Sequence, residues 1–411
     1  MNNNNFWKRV LWLLAGIGFL VGLYGFYTRL AFGHTDANYG SYIPWGLWVA
    51  GYVYLIGLSA GAFLLSTLVY VFRVKVLEPI GRLALFTAVT TLVGAMILIF
   101  LDLGHPERAW RLAFHTNFRS IMGWMIWLYT GYFVLLVVEL WFATRVDLVA
   151  CGSNPGWTGR ICRFLTFGSK DTSTAKMARD RRVLRVLGTI GVPLAVAFHG
   201  GVGALFGVVG AREYWHSGLS PIFFLVGALL SGGALLTFVT AIWGPDIKSE
   251  QGQKLLRLLG QITLGLLAFD VLLEWAEYSI GLWYTVPGQT NGLLLTLKGP
   301  YWWVFWFVHL GLGVIVPGLL LILRGRSTRV IATAGALIAV TFLSVRLNFV
   351  IPALAQPEME GLRTAFTGPG LTFDYFPSTN EWLLFIWAIS VAALIFLTGT
   401  RVLPLTPKEA K

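Results

Sequence analysis

The sequence predicts an all-α membrane protein of about ten transmembrane helices. Three observations carry that prediction. The mean hydropathy is +0.70; only 12% of the 411 residues are charged while 56% are hydrophobic; and the apolar residues gather into ten separate runs of about 20, each long enough to cross roughly 30 Å of hydrocarbon. No soluble core hides that much apolar surface. The runs lie near 10–32, 45–72, 80–102, 118–142, 183–209, 218–243, 255–285, 300–323, 328–353 and 383–402. The first follows a short basic start with no small-residue cleavage site, so it reads as a retained anchor and not a signal peptide. An even number of crossings puts both termini on one side.

The basic residues choose that side. Of the 31 Lys and Arg, 23 flank the termini and alternate connections on the N-terminal side, among them Lys8, Arg9, Arg401, Lys408, Lys411 and nine between Arg145 and Arg185. Short loops rich in positive charge stay in the cytoplasm, so both termini are predicted cytoplasmic, in a bacterial or archaeal cytoplasmic membrane. The net charge of +12 follows topology and gathers on no single face, which argues against a nucleic-acid partner.

The chain reads as one integral membrane domain, 1–411. Its long polar connection, 144–182, is basic and rich in Gly, Ser and Thr, and is predicted to be a tether. Cys151 and Cys162 fall in it and read as reduced bystanders, with a spacing that fits no metal motif. "SAGAFLL" at 59–65 resembles "SGGALLT" at 231–237, and the same offset of 172 carries Asp102 onto Glu274 and His105 onto Glu277. Two four-helix units in parallel repeat follow, 41–209 and 218–353, with flanking first and last helices, an outer loop at 354–382 and the last helix at 383–402. Chance similarity between Gly/Ala-rich helices is the alternative. Gly57 with Gly61, and Gly203 with Gly207, have the small-xxx-small spacing of closely packed helices.

Ionisable groups inside hydrocarbon are expensive and mark function by default. "LDLGHPERAW", 101–110, crowds Asp102, His105, Glu107 and Arg108 at the outer end of the third run; His199, His309, Arg346 and Asn348 lie within later runs, and Glu139 near the cytoplasmic end of the fourth. Asp270, Glu274 and Glu277 are spaced i, i+4, i+7 and share one helix face. Like charges on such a stripe repel, which suits groups that trade protons; pairing with Arg346 or facing a vestibule is the other reading. His199 and His309 at similar depth offer a weaker reading as haem ligands. An acid, a histidine and an arginine beside aromatic-rich helices at one interface suit quinone chemistry, which needs hydrogen-bond donors for two carbonyls and a source of protons. The chain has no cluster motif and no dinucleotide fingerprint, so its electrons must come through a partner.

"PWGLWVAGYVYLIGLSAGAFLLS" (44–66), "DLGHPERAW" (102–110), "SIMGW" (120–124), "SPIFFLVGALLSGGALL" (220–236), "RLNFVIP" (346–352) and "YFPSTNEW" (375–382) together resemble the NrfD-like family, that of the polysulfide reductase membrane subunit. The resemblance implies an integral subunit that binds quinone, of the menaquinone type, without haem or iron–sulfur cluster of its own. It implies a ferredoxin-like iron–sulfur subunit on the outer face, with 354–382 the longest docking surface, and a further catalytic or cytochrome subunit. The family's Asp at the end of the third span falls on Asp102 and its late arginine on Arg346; the chain departs from the pattern at His105, where the family often has Arg. The expected quinone site is Asp102, His105, Arg108, His199, Glu277 and Arg346, with Glu139, Asp270 and Glu274 as a proton path coupled to turnover. An ion-coupled transporter and a purely structural anchor are the competing functions.

Overall fold

Ten helices long and apolar enough to cross a membrane make up most of the computed structural model, which describes residues 3–366 and 368–405. They are α1 Asn3–Phe32, α2 Leu47–Tyr70, α3 Gly81–Asp102, α4 Ile121–Gly152, α5 Thr174–Gly207, α6 Ser220–Trp243, α7 Glu250–Tyr284, α8 Val304–Arg324, α9 Thr328–Leu354 and α10 Thr379–Val402. There are no strands among the described residues. The all-helical class and the ten spans are as the hydropathy predicts. Lys408 and Lys411 of the C-terminal basic cluster lie outside the described residues.

The centre of the molecule is the crossing of α2 and α6. α2 is apolar on every face and almost wholly buried, covered by protein where α1, just as apolar, is left largely exposed. It packs on α3, α5, α6 and α9, while α6 also packs on α5, α7 and α9. The two similar stretches meet here: a Cβ built on Gly232 would lie 2.6 Å from the Gly61 Cα, and one on Gly61 would strike the Ala228 carbonyl oxygen. Only glycine lets these backbones come so close. α1 and α10 pair with each other, and α10 lies against α3.

Helix starts follow local chemistry. The Ser173, Ser249 and Ser378 hydroxyls accept from backbone N–H groups in the first turns of α5, α7 and α10. Ser378 and Glu381 form a reciprocal capping box. α8 is wound as a π-helix over Val304–Ile315 before continuing as an α-helix.

The 144–182 connection is not a tether. α4 runs on to Gly152, α5 begins at Thr174, and a further helix spans Trp157–Leu165 between them. Its polar residues find each other: Arg145, fully buried, donates from Nε to Asp180 Oδ2 at 2.6 Å and places Nη2 2.6 Å from the same oxygen. Arg145 Nη1 donates to Ser169 Oγ at 2.9 Å and to the Asp171 carbonyl at 2.6 Å. The Trp157–Leu165 helix doubles back along α4, which brings the Cys151 and Cys162 Cα atoms to 5.9 Å and joins the two residues in a disulfide. The reading of these cysteines as separate, reduced bystanders is corrected accordingly.

Candidate functional site

Polar groups gather in two clusters at the end of the bundle remote from the basic connections, the end that the charge pattern of the sequence predicts to be the outer one. The first caps α3. Arg29, buried in the last turn of α1, donates from Nε to the Leu101 carbonyl at 2.5 Å and from Nη2 to the Leu103 carbonyl at 2.6 Å. A cation at a helix C-terminus satisfies carbonyls that have no partner within the helix. Asp102, the last residue of α3, accepts from the Tyr39 hydroxyl at 2.9 Å. Burial, then the Asp102 charge, pushes the Tyr39 phenol well up, so Tyr39 is the donor in this pair. Burial, then Arg29, pushes His34 beside it down. The rings of Tyr39 and Tyr375 are 6.5 Å apart. Tyr375 donates to the Glu381 carboxylate and accepts from the Leu47 N–H at 2.8 Å, while Glu381 Oε1 accepts from the Asn38 N–H at 2.9 Å.

The crowd of charges in "LDLGHPERAW" divides at this point. After Asp102 the chain turns outward through Gly104 and Pro106; His105 is 65% exposed and bonds to Glu107 at 3.0 Å, and Arg108 reaches the same carboxylate at 3.6 Å. His105 and Arg108 therefore do not join Asp102, because the turn carries them to the surface.

The second cluster lines part of a cavity of about 70 Å³ among α6, α7 and α9. Asp270, Glu274 and Glu277 present their shared face to it, opposite Arg346 and Asn348, with Tyr214 and Tyr278 at the side. His309, on the π-helical part of α8, puts Nε2 2.9 and 2.8 Å from the two Glu274 oxygens. That contact occupies the nitrogen a haem would use. The Arg346 guanidinium lies 4.4 Å from the Phe224 ring centre and 5.1 Å from that of Phe342. Its Nε and Nη2, and Nδ2 of Asn348, have no hydrogen-bond partner among the described residues. His199, fully buried, packs on the same Phe224 at 6.3 Å without lining the cavity.

Next to this cavity is a larger one of about 440 Å³. Its walls are Tyr301, Trp303, Leu343, Leu347, Phe376 and Trp382, mostly apolar, and Asn348 belongs to both cavities. Val340 on its wall is 70% exposed on the outer surface of the bundle, so the cavity borders the lipid-facing side. Glu139 stands apart, 1% exposed, towards the other end of α4 with Oε1 unpaired among the described residues. Between Asp102 and Glu139 lie the paired Tyr52 and Tyr129 hydroxyls and then Tyr132, whose hydroxyl is 3.5 Å from Ser59 Oγ.

Of the residues expected at the quinone site, the structure brings together Glu277 and Arg346, with Asp270 and Glu274 of the expected proton path in the same cavity, sets His199 next to them, puts Asp102 in the other cluster and leaves His105 and Arg108 on the surface. Sequence reasoning missed Arg29, Tyr39 and Tyr375. Only Glu381 carried a local signal, the S-x-x-E of its capping box, and that signal marks a helix start.

The family model described as polysulphide reductase, NrfD, matches residues 35–358, from before α2 through α9. The chain belongs to the NrfD family. This NrfD-family protein is 37% identical over 408 residues to a selenate reductase subunit of Mesobacillus selenatarsenatis, covering 98% of this chain and 95% of that one. It is 29% identical to the Hdr-like menaquinol oxidoreductase integral membrane subunit of Archaeoglobus fulgidus, covering 90% and 86%. With the menaquinone reductase integral membrane subunit of Nitratidesulfovibrio vulgaris the identity is 25%, covering 98% and 93%. The NrfD match covers both polar clusters except Arg29, His34, Tyr375 and Glu381, which lie on flanking segments.

Proposed function

We propose that this chain is the membrane subunit of a respiratory oxidoreductase that exchanges electrons and protons with menaquinone for an iron–sulfur partner on its outer face. The observation that carries the reading is the aromatic cavity of about 440 Å³ at the outer end, joined through Asn348 to the acid-lined cavity. A flat apolar ring suits the first, and the unpaired donors of Arg346 and Asn348 suit its carbonyl oxygens. The names of the selenate reductase and menaquinone reductase relatives support the same class.

In this reading Asn348 orients the ring by donating to a carbonyl, and Arg346 balances negative charge as it develops there. Glu277 and Glu274 hold and release protons, with His309 sharing the proton of Glu274. His199 supports the Phe224 wall on which Arg346 rests. Asp102, with Tyr39, belongs to the docking end, and 354–382 is the longest segment there for the iron–sulfur subunit, with a catalytic or cytochrome subunit beyond it. Tyr52, Tyr129, Tyr132 and Ser59 give a file of hydroxyls from Asp102 towards Glu139, the route by which turnover would move protons to the side of the termini, which we read as cytoplasmic. The two sets of four helices, α2–α5 and α6–α9, we read as a parallel repeat.

The test is quenching of a fluorescent quinol analogue by the purified chain. Wild type is expected to quench; Ser344→Phe, which fills the cavity, is expected to abolish quenching, and Asn348→Leu to weaken binding about three- to ten-fold for one neutral hydrogen bond. His105→Ala is expected to change nothing. Binding that survives Ser344→Phe and is lost in Asp102→Asn would move the quinone to the α3 cluster, and no quenching by wild type would sink the reading.

A further inference from the structure

We infer that the hairpin helix Trp157–Leu165 and the turn after it form a binding surface for anionic phospholipid, independent of the quinone reading. α4 begins at Ile121, and Trp141 lies 20 residues on, about 30 Å along the helix and so at the far boundary of the hydrocarbon. The hairpin returns to this level: the Trp141 indole N–H donates to the Leu165 carbonyl at 2.8 Å, and the Phe167 ring lies 6.3 Å from that of Trp141. At that depth the turn exposes Phe164 by 75% and Phe167 by 73%.

Nothing local favours that exposure. Phe167 holds φ at +48°, in the left-handed region where a bulky side chain is an outlier. The strained residue turns a large apolar ring outward, which in water is a liability and at a headgroup–acyl boundary is an anchor. The helix is clamped to α4 by the Cys151–Cys162 disulfide and by Arg163 Nη1 donating to the Gly152 carbonyl at 2.8 Å, so the rings are held at a fixed depth.

Charge selects the occupant. Arg160, Arg163 and Lys170 on the hairpin are exposed, as are Arg179, Arg181 and Arg182 at the start of α5. The acids nearby do not neutralise them: Asp180 is buried on Arg145, leaving Asp171 as the exposed carboxylate between residues 157 and 185. Two protruding phenyl rings at the membrane boundary, on a hairpin whose exposed charges and those of the next helix are mostly cationic, fit the acyl chains and phosphate of an acidic lipid. A soluble acidic protein would have no use for rings at that depth.

The experiment is native mass spectrometry of the full chain in neutral detergent with phosphatidylglycerol or phosphatidylcholine of the same acyl composition. Wild type is expected to bind phosphatidylglycerol more tightly. The triple variant Arg160→Gln/Lys170→Gln/Arg179→Gln, which leaves the Arg163 clamp in place, is expected to lose that preference, on the order of a hundred-fold in affinity at about fivefold per charge. Phe164→Ser/Phe167→Ser is expected to weaken both lipids; the charge variant, confined to exposed side chains, keeps the test decisive should the ring variant misfold. Equal binding of the two lipids by wild type would overturn the inference. So would a preference that survives the charge variant, or displacement of the lipid by millimolar inorganic phosphate.

Discussion

Replacing Asp180 by Leu removes the carboxylate that faces a fully buried guanidinium and puts a bulkier apolar side chain of the same branching in its place. Arg145 then loses the contacts of Nε and Nη2, both at 2.6 Å, and keeps those of Nη1 to Ser169 and the Asp171 carbonyl. Breaking a buried pair by removing one partner typically destabilises by about 3 to 5 kcal/mol, because a charge stays behind without compensation. The two surviving hydrogen bonds put Asp180→Leu at the lower end, about 3 kcal/mol. Arg145→Met strands Asp180, whose Oδ1 has no other partner among the described residues, and belongs nearer the upper end, about 4 to 5 kcal/mol. The double variant removes both charges and is expected within about 2 kcal/mol of wild type, so the coupling is several kcal/mol and far from additive. Reversible unfolding of the purified chain in dodecylmaltoside–dodecylsulfate mixtures, followed by circular dichroism, measures all three. Single substitutions that each change stability by less than about 1 kcal/mol, or a double variant equal to their sum, would refute the buried pair and restore the connection to a tether.

Two further outcomes follow from the described contacts. His34 is held below the usual histidine range by burial, then by Arg29, so the unfolded chain takes up a proton there before the folded one does. Stability is full above the ordinary histidine value of about 6.5 and falls as the pH drops through it; His34→Gln is expected to flatten that part of a melting-temperature profile between about pH 7 and 5, and an unchanged profile would contradict the placement. Gly61→Val drives a branched side chain into the Ala228 carbonyl at the α2–α6 crossing and is expected to lower stability by about 1 to 3 kcal/mol in the same unfolding assay, whereas Gly265→Val, with open space around its Cβ, is expected to be nearly neutral.

What the sequence made legible was whatever repeats along a helix. The ten spans show because each needs its own run of apolar residues, and the Asp270–Glu274–Glu277 stripe because one helix face carries it. What it hid depends on turns and on distant segments. The split between Asp102 and His105 hinges on a short turn through Gly104 and Pro106, which no periodicity reports. The 144–182 segment looked like a tether because its charges read as solvated, although the buried Arg145–Asp180 pair is what fixes it. The aromatic cavity draws walls from the residue 295–308 region, α9, residues 373–377 and Trp382, and although two of those stretches carry family motifs, nothing in either shows that they meet. Asn38 meets Glu381 across 343 residues, a separation that only the folded chain closes.

That last contact has a consequence for how the protein is made. A ribosome delivers Arg29, Tyr39 and Asp102 together, so the clasp on the end of α3 has all its parts before α4 has emerged. Tyr375 and Glu381, which bond Leu47 and Asn38, come only after α9 has been made. Until then the backbone N–H groups of Asn38 and Leu47 wait for acceptors that do not yet exist, and this end of the first helices is sealed by the arrival of Tyr375 and α10. A chain stalled before residue 375 would carry its ten-helix plan almost complete and still lack that seal.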